Sequence, residues 1–205
     1  MTAVDDATPP ATEPDGQRPG RSRIAPWVAL AVAVVLVGLF VVLATAGGDD
    51  DNTADSHLLG RPAPEATGTL DDGTPFDLAR RKGSWVVLNF FTHDCIPCIR
   101  EHEELIRFVD QQRALGLEGA EFYSIVQNST PEEVAEFFAE RGGGDWPVVY
   151  DTDFEFQIGF GVAQVPETWV IDPDGIVRGR LISELDSADR LRADIQALRE
   201  AGIGR

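Results

Sequence analysis

The sequence predicts an α/β domain in which a central mixed β-sheet carries helices on both faces, with a β-hairpin on its N-terminal side and one transmembrane helix ahead of it. Three observations support this. Apolar segments of strand length alternate with segments of helical period along residues 58–205. Two of the last segments are separated by Asp174-Gly175, turn residues that make neighbouring strands antiparallel. Ahead of the domain, residues 24–46 contain no charged side chain, enough apolar chain to cross a bilayer core of about 30 Å at about 1.5 Å per residue.

In chain order, residues 1–23 are rich in Pro, Asp, Gly and Thr and cannot bury enough apolar surface to offset chain entropy, so they are expected to be disordered. Residues 24–46 follow as a transmembrane signal anchor. Arg18, Arg21 and Arg23 precede it, and Asp49, Asp50, Asp51 and Asp55 follow it. The positive-inside bias then puts the N-terminus in the cytoplasm and the catalytic domain on the extracytoplasmic side of a cell membrane, with a single pass. Ala44-Thr45-Ala46 also resembles a signal cleavage site, although the apolar run is longer than the core of a cleaved signal. Either outcome exports the domain. Residues 47–57 form a polar linker rich in Gly and Asp, and the domain occupies residues 58–205.

Within the domain, residues 67–78 predict a hairpin around Asp72-Gly73, and residues 85–91 form an apolar run of strand length with no alternation, as expected of a strand buried on both faces. Leu105, Phe108, Val109 and Leu115 recur at helical spacing over residues 101–115. A strand over 121–127, a helix over 131–141 capped by Ser129 or Thr130, and a strand over 146–150 come next. A hairpin of strands 168–171 and 176–181 and an amphipathic helix over 187–201 close the chain.

Acidic residues outnumber basic ones 35 to 17, a net charge of -18 that repels phosphate backbones and excludes nucleic acid as a partner. The chain has two cysteines, too few for a separate structural disulfide. Cys95-Ile96-Pro97-Cys98 lies between the central strand and the helix, one thiol at the helix opening and the other a turn further in. Unpaired backbone N–H groups and the helix dipole stabilise a thiolate at Cys95, which makes it the candidate nucleophile, while Cys98 resolves the mixed disulfide from within. Pro97 suits an early helical position, where its missing N–H is no loss. Haem attachment would require His after the second cysteine, and Ile99 stands there. His93 and His102 bracket the pair and keep open a copper or zinc chaperone reading, although plain surface histidines are the simpler expectation. Dithiol exchange needs no cofactor, and neither a cofactor nor a resident metal is expected.

Three separated segments carry a family resemblance: Leu59-Gly60-Arg61-Pro62-Ala63-Pro64; Asn89-Phe90-Phe91 through Cys98-Ile99-Arg100-Glu101; and Gly161-Val162 to Val165-Pro166-Glu167-Thr168-Trp169-Val170-Ile171-Asp172. In them the chain resembles the thioredoxin-like family, specifically the membrane-anchored TlpA, ResA and CcmG (DsbE) type of thiol–disulfide oxidoreductase. The resemblance implies a thioredoxin-like fold and a cis bond before Pro166, opposite the cysteines. It also implies that the Val165 backbone pairs with an extended substrate segment, and that Glu101 exchanges a proton with Cys98, since Asn89 stands where ordinary thioredoxins carry a buried aspartate. The implied partners are protein disulfides, apocytochrome c among them in cytochrome c maturation, and a DsbD- or CcdA-like membrane electron donor.

The chain departs from that family at Phe91 and Asp94, where Trp is usual, and at Glu103, where Pro is usual. Asp94 beside Cys95, like Ile96 and Pro97 between the cysteines, is expected to tune the active site, its negative charge opposing thiolate formation. Thr92, three residues before Cys95, also matches the Thr-x-x-Cys of a peroxiredoxin-like thiol peroxidase, the competing enzyme reading.

Overall fold

The structure, a computed structural model, describes residues 25–46 and 56–204. The expected disordered segment 1–23, the charged residues flanking the expected anchor and most of the linker lie outside the described residues. Ala25–Ala46 is one α-helix of 22 residues, α1. Its side chains are described over residues 26–40, and among the described residues no helix is long and apolar enough to cross a membrane.

The second unit is a seven-stranded mixed sheet of order β2-β1-β5-β4-β3-β6-β7, built from β1 (Thr67–Leu70), β2 (Pro75–Asp77), β3 (Val86–Phe91), β4 (Glu121–Val126), β5 (Val148–Tyr150), β6 (Glu167–Ile171) and β7 (Val177–Ile182). β3, β4 and β5 run parallel, and β6 is antiparallel to β3. The helices are α2 (Ile96–Ala114), α3 (Pro131–Glu140), α4 (Glu155–Phe160) and α5 (Ala188–Glu200).

β3 explains the layering. All six of its residues are buried, and successive side chains point to opposite faces. Val86, Leu88 and Phe90 enter one core with Phe156 and Phe160 of α4 and with Trp169. Val87 enters the other with Phe108 of α2 and Leu191 and Ile195 of α5. Asn89 and Phe91 therefore face α2, the helix that begins at the cysteines. The hairpin forms as expected, with Gly73 at φ 82° and the Asp72 carboxylate accepting from the Thr74 N–H at 2.9 Å. Thr130, not Ser129, caps α3, in a reciprocal capping box with Glu133. The strand expected from residue 146 begins at Val148, after Pro147, which has no N–H to give to a ladder; Trp146 ahead of it turns its indole N–H inward to the Ser124 hydroxyl at 2.8 Å. α4 has no counterpart in the sequence expectation.

Candidate active site

β3 ends at Phe91, and the chain turns through Thr92 and Asp94 before α2. The Cys95 N–H donates to the Thr92 carbonyl at 3.3 Å. Cys95 is the N-cap of α2, with extended backbone (φ -79°, ψ 113°), and its sulfur accepts the Cys98 N–H at 3.2 Å. Helix propensity alone would not begin α2 here; the cap, with Pro97 in the first turn, extends it five residues ahead of the apolar periodicity. The two cysteines form a disulfide with Cα atoms 5.2 Å apart. Cys98 is 2% exposed, whereas Cys95 is half-buried and Ile96 beside it is 67% exposed. Cys95 is thus the reachable sulfur.

Glu101 lies one turn beyond Cys98 on the same face of α2 and is 1% exposed. Its carboxylate accepts the Asn89 amide at 2.9 Å and the Leu185 N–H at 2.7 Å. Burial pushes its pKa up to about 7; the Glu184 charge adds to the rise, while the two hydrogen bonds oppose it. Cys98 and Glu101 line one narrow cleft with Asn89 and Phe91. A carboxyl titrating near neutrality beside a buried thiol can take up or return a proton there.

Pro166 is buried, and the Val165–Pro166 bond is cis. Phe90 pairs with Glu167 in the β3–β6 ladder, so the register carries Pro166 to the end of β3 from which the cysteine turn departs. Val165 and Cys95 pack against the same apolar cluster as Phe91 and Cys98. Glu167, next in the chain, is buried at the start of β6 and takes both arms of the Arg180 guanidinium, at 2.8 and 3.2 Å.

Asp94 is exposed and accepts the Thr92 hydroxyl at 2.9 Å. That bond engages the threonine on which a peroxide site would rest. The two histidines are both less exposed than expected, to different degrees. His93 is half-buried, with Nδ1 2.9 Å from the Ser129 hydroxyl and Nε2 3.7 Å from Glu133. His102 is no surface residue: it is 2% exposed, its ring lies among Phe137, Phe138 and Trp146, and Nε2 sits 2.6 Å from the Gly143 carbonyl. Burial holds its pKa below the usual imidazole value. Among the described residues no group of three or more His, Cys, Asp or Glu is placed to hold a metal ion.

Sequence reasoning missed the donors from outside α2. The Leu185 N–H comes from the turn after β7, 84 residues from Glu101, and the Ser183 N–H of that turn donates to the Pro166 carbonyl at 3.1 Å. Backbone donors leave no mark on composition or spacing.

The AhpC/TSA family matches residues 59–180. The chain is 31% identical over 141 residues to the thiol:disulfide interchange protein HelX of Rhodobacter capsulatus, a match covering 67% of this chain and 75% of that protein. It is 28% identical over 160 residues to the thiol:disulfide interchange protein DsbE of Escherichia coli K12, covering 77% of this chain and 82% of that one. Among solved structures, a thiol:disulfide interchange protein of the thioredoxin family from Chlorobium tepidum superposes with a TM-score of 0.56 at 27% identity, over 70% of this chain and 98% of that chain.

Proposed function

Since this chain belongs to the AhpC/TSA family and is a thioredoxin-like thiol–disulfide oxidoreductase, we propose that it is an exported, membrane-tethered reductant of protein disulfides, working through Cys95 and Cys98. The observation that carries this reading is the sulfur pair at the opening of α2, with Cys95 as cap and reachable sulfur and Cys98 shielded behind it.

In the dithiol form the Cys95 thiolate attacks one sulfur of a substrate disulfide. A mixed disulfide forms, and the other substrate sulfur leaves as thiolate. Cys98 gives up its proton and attacks the Cys95 sulfur, which closes the disulfide and releases the second substrate thiolate. Two electrons pass to the substrate. Glu101 takes the Cys98 proton, a task suited to a carboxyl whose pKa lies at about 7. The Val165 backbone holds the substrate segment as an added strand, and Asp94, Ile96 and Pro97 tune the thiol they adjoin.

Electrons return from a DsbD- or CcdA-like membrane partner. The HelX and DsbE relatives, thiol:disulfide interchange proteins by name, support a protein disulfide as the target, and the family resemblance supports apocytochrome c as one such substrate. The uncharged run of residues 24–46, flanked by basic and then acidic residues, supports a single-pass anchor with the domain outside.

The test uses the full-length chain in detergent and insulin as the disulfide substrate. Cys95→Ser loses all turnover, whereas Cys98→Ser retains substrate as a covalent adduct visible on a non-reducing gel. An active Cys95→Ser protein, or a reduced protein that turns over peroxide with a thiol donor but leaves insulin untouched, overturns the proposal.

A further inference from the structure

Resting on the reading of Val165-Pro166 as the substrate edge, we infer that Gln157 is a positioning residue for polypeptide substrates: its side chain anchors the chain just upstream of that edge and so favours an extended polypeptide disulfide over a small one.

The argument begins at α4. Its N-cap position is Phe154, at φ 59°, which supplies no side-chain cap. The cap comes from Asp151 at the end of β5. That carboxylate is 2% exposed and accepts the N–H groups of Phe156 at 3.1 Å and Gln157 at 2.9 Å. α4 is therefore pinned to the sheet at its start. At its other end Gly161 takes the left-handed conformation, and the Val162 N–H returns to the Gln157 carbonyl at 3.0 Å.

Gln157 then adds a bond that this turn does not require. Its side-chain amide donates to the Val162 carbonyl at 3.2 Å. Gln157 thus holds both backbone groups of Val162. Downstream, Glu167 is held by its ladders to β3 and β7 and by the Arg180 fork. Between these two anchors run only residues 163–166, of which Ala163 and Gln164 are exposed and Val165 is half-buried.

A segment that offers its backbone as a strand template binds best when it is already extended, because ordering it on arrival subtracts from affinity. A short span fixed at both ends meets that condition. A small disulfide that reaches Cys95 without pairing along the edge gains nothing from it. Gln157 is half-buried and belongs to none of the apolar clusters, and alanine is the better helix former, so Gln157→Ala removes the anchor and leaves the fold.

The test compares full-length wild type, Gln157→Ala and Gln157→Lys in detergent, on insulin and on hydroxyethyl disulfide. Gln157→Ala is expected to raise KM for insulin about three- to tenfold, the cost of ordering on arrival a segment that the anchor had held extended. Its kcat on insulin and its kinetics on hydroxyethyl disulfide stay at the wild-type values. Gln157→Lys, which keeps a donor, restores part of the insulin KM. Amide hydrogen exchange over residues 163–165 quickens in Gln157→Ala. Unchanged exchange there, or equal losses on both disulfides, overturns the inference. A wild type that reduces hydroxyethyl disulfide but not insulin overturns the polypeptide-substrate reading instead, and the exchange result still judges the anchor.

Discussion

Glu101 and Glu167 are equally buried, each 1% exposed, and each follows a functional turn, Glu101 after Cys98 and Glu167 after Pro166. They differ in what faces them. Glu167 meets the guanidinium fork of Arg180, which also lies over the Trp169 ring at 5.0 Å. Glu101 meets two neutral donors and lies near the like charge of Glu184. Burial alone therefore does not decide what a carboxylate does. A cation in register makes one glutamate a structural ion pair, while neutral donors leave the other to titrate where the chemistry runs.

The sharpest way to break this contrast is Arg180→Ala. It leaves the Glu167 carboxylate buried without its cation, and about 3–5 kcal/mol of stability should be lost in urea unfolding at neutral pH. Arg180→Lys should recover only part, since an ammonium cannot form the fork. A loss below about 1 kcal/mol would reduce the pair to an ordinary surface bridge.

The next effect belongs to Glu101. Its folded pKa, at about 7, lies above the ordinary value of 4.5, so the folded protein keeps a proton that the unfolded chain has already lost. The stability this proton supplies is fully present below about pH 4.5, falls as pH rises and is gone above about pH 7, a span of about 3 kcal/mol. Other carboxylates titrate in the same window, so the measurement is the stability of Glu101→Gln minus that of wild type. That difference should climb with pH through the window and then level off. A flat difference would mean that burial is not raising the carboxyl.

In kinetics the same substitution should slow release of substrate from the Cys95 mixed disulfide by about tenfold to a hundredfold at neutral pH. Formation of the mixed disulfide should be unchanged. Stopped-flow separation of the two steps checks this, and equal slowing of both would reassign Glu101 to structure. The smallest effect is at Asp94. Asp94→Ala removes a negative charge beside Cys95 and should move the thiol titration downward, read by thiolate absorbance. An unmoved titration would dismiss Asp94 as a tuning residue.

The cysteine pair, the central strand and the closing helix were legible because each writes a local signal: a spacing of three, an apolar run without alternation, a helical period. α4 writes none. It is six residues long, contains Gly159, and takes its cap from Asp151, outside the helix. His102 could be placed on α2 but not inside the core, since Phe137, Phe138 and Trp146 reach it from distant parts of the chain. Glu101 was identifiable as a candidate, yet what raises its pKa is burial under a fold whose donors lie 12 residues before it and 84 after. Spacing reveals which groups share a helix face. It does not reveal what covers that face.

Cys95 caps α2 with the sulfur that exchanges electrons. Reduction replaces a neutral cap by one able to bear full negative charge against the first turn of the helix. Conformational stability and electron affinity then form one thermodynamic cycle, in which each 1.4 kcal/mol by which the cap favours the dithiol state raises the couple by about 30 mV. A stronger cap would make a poorer donor, so the helix opening limits how well it can serve its own fold.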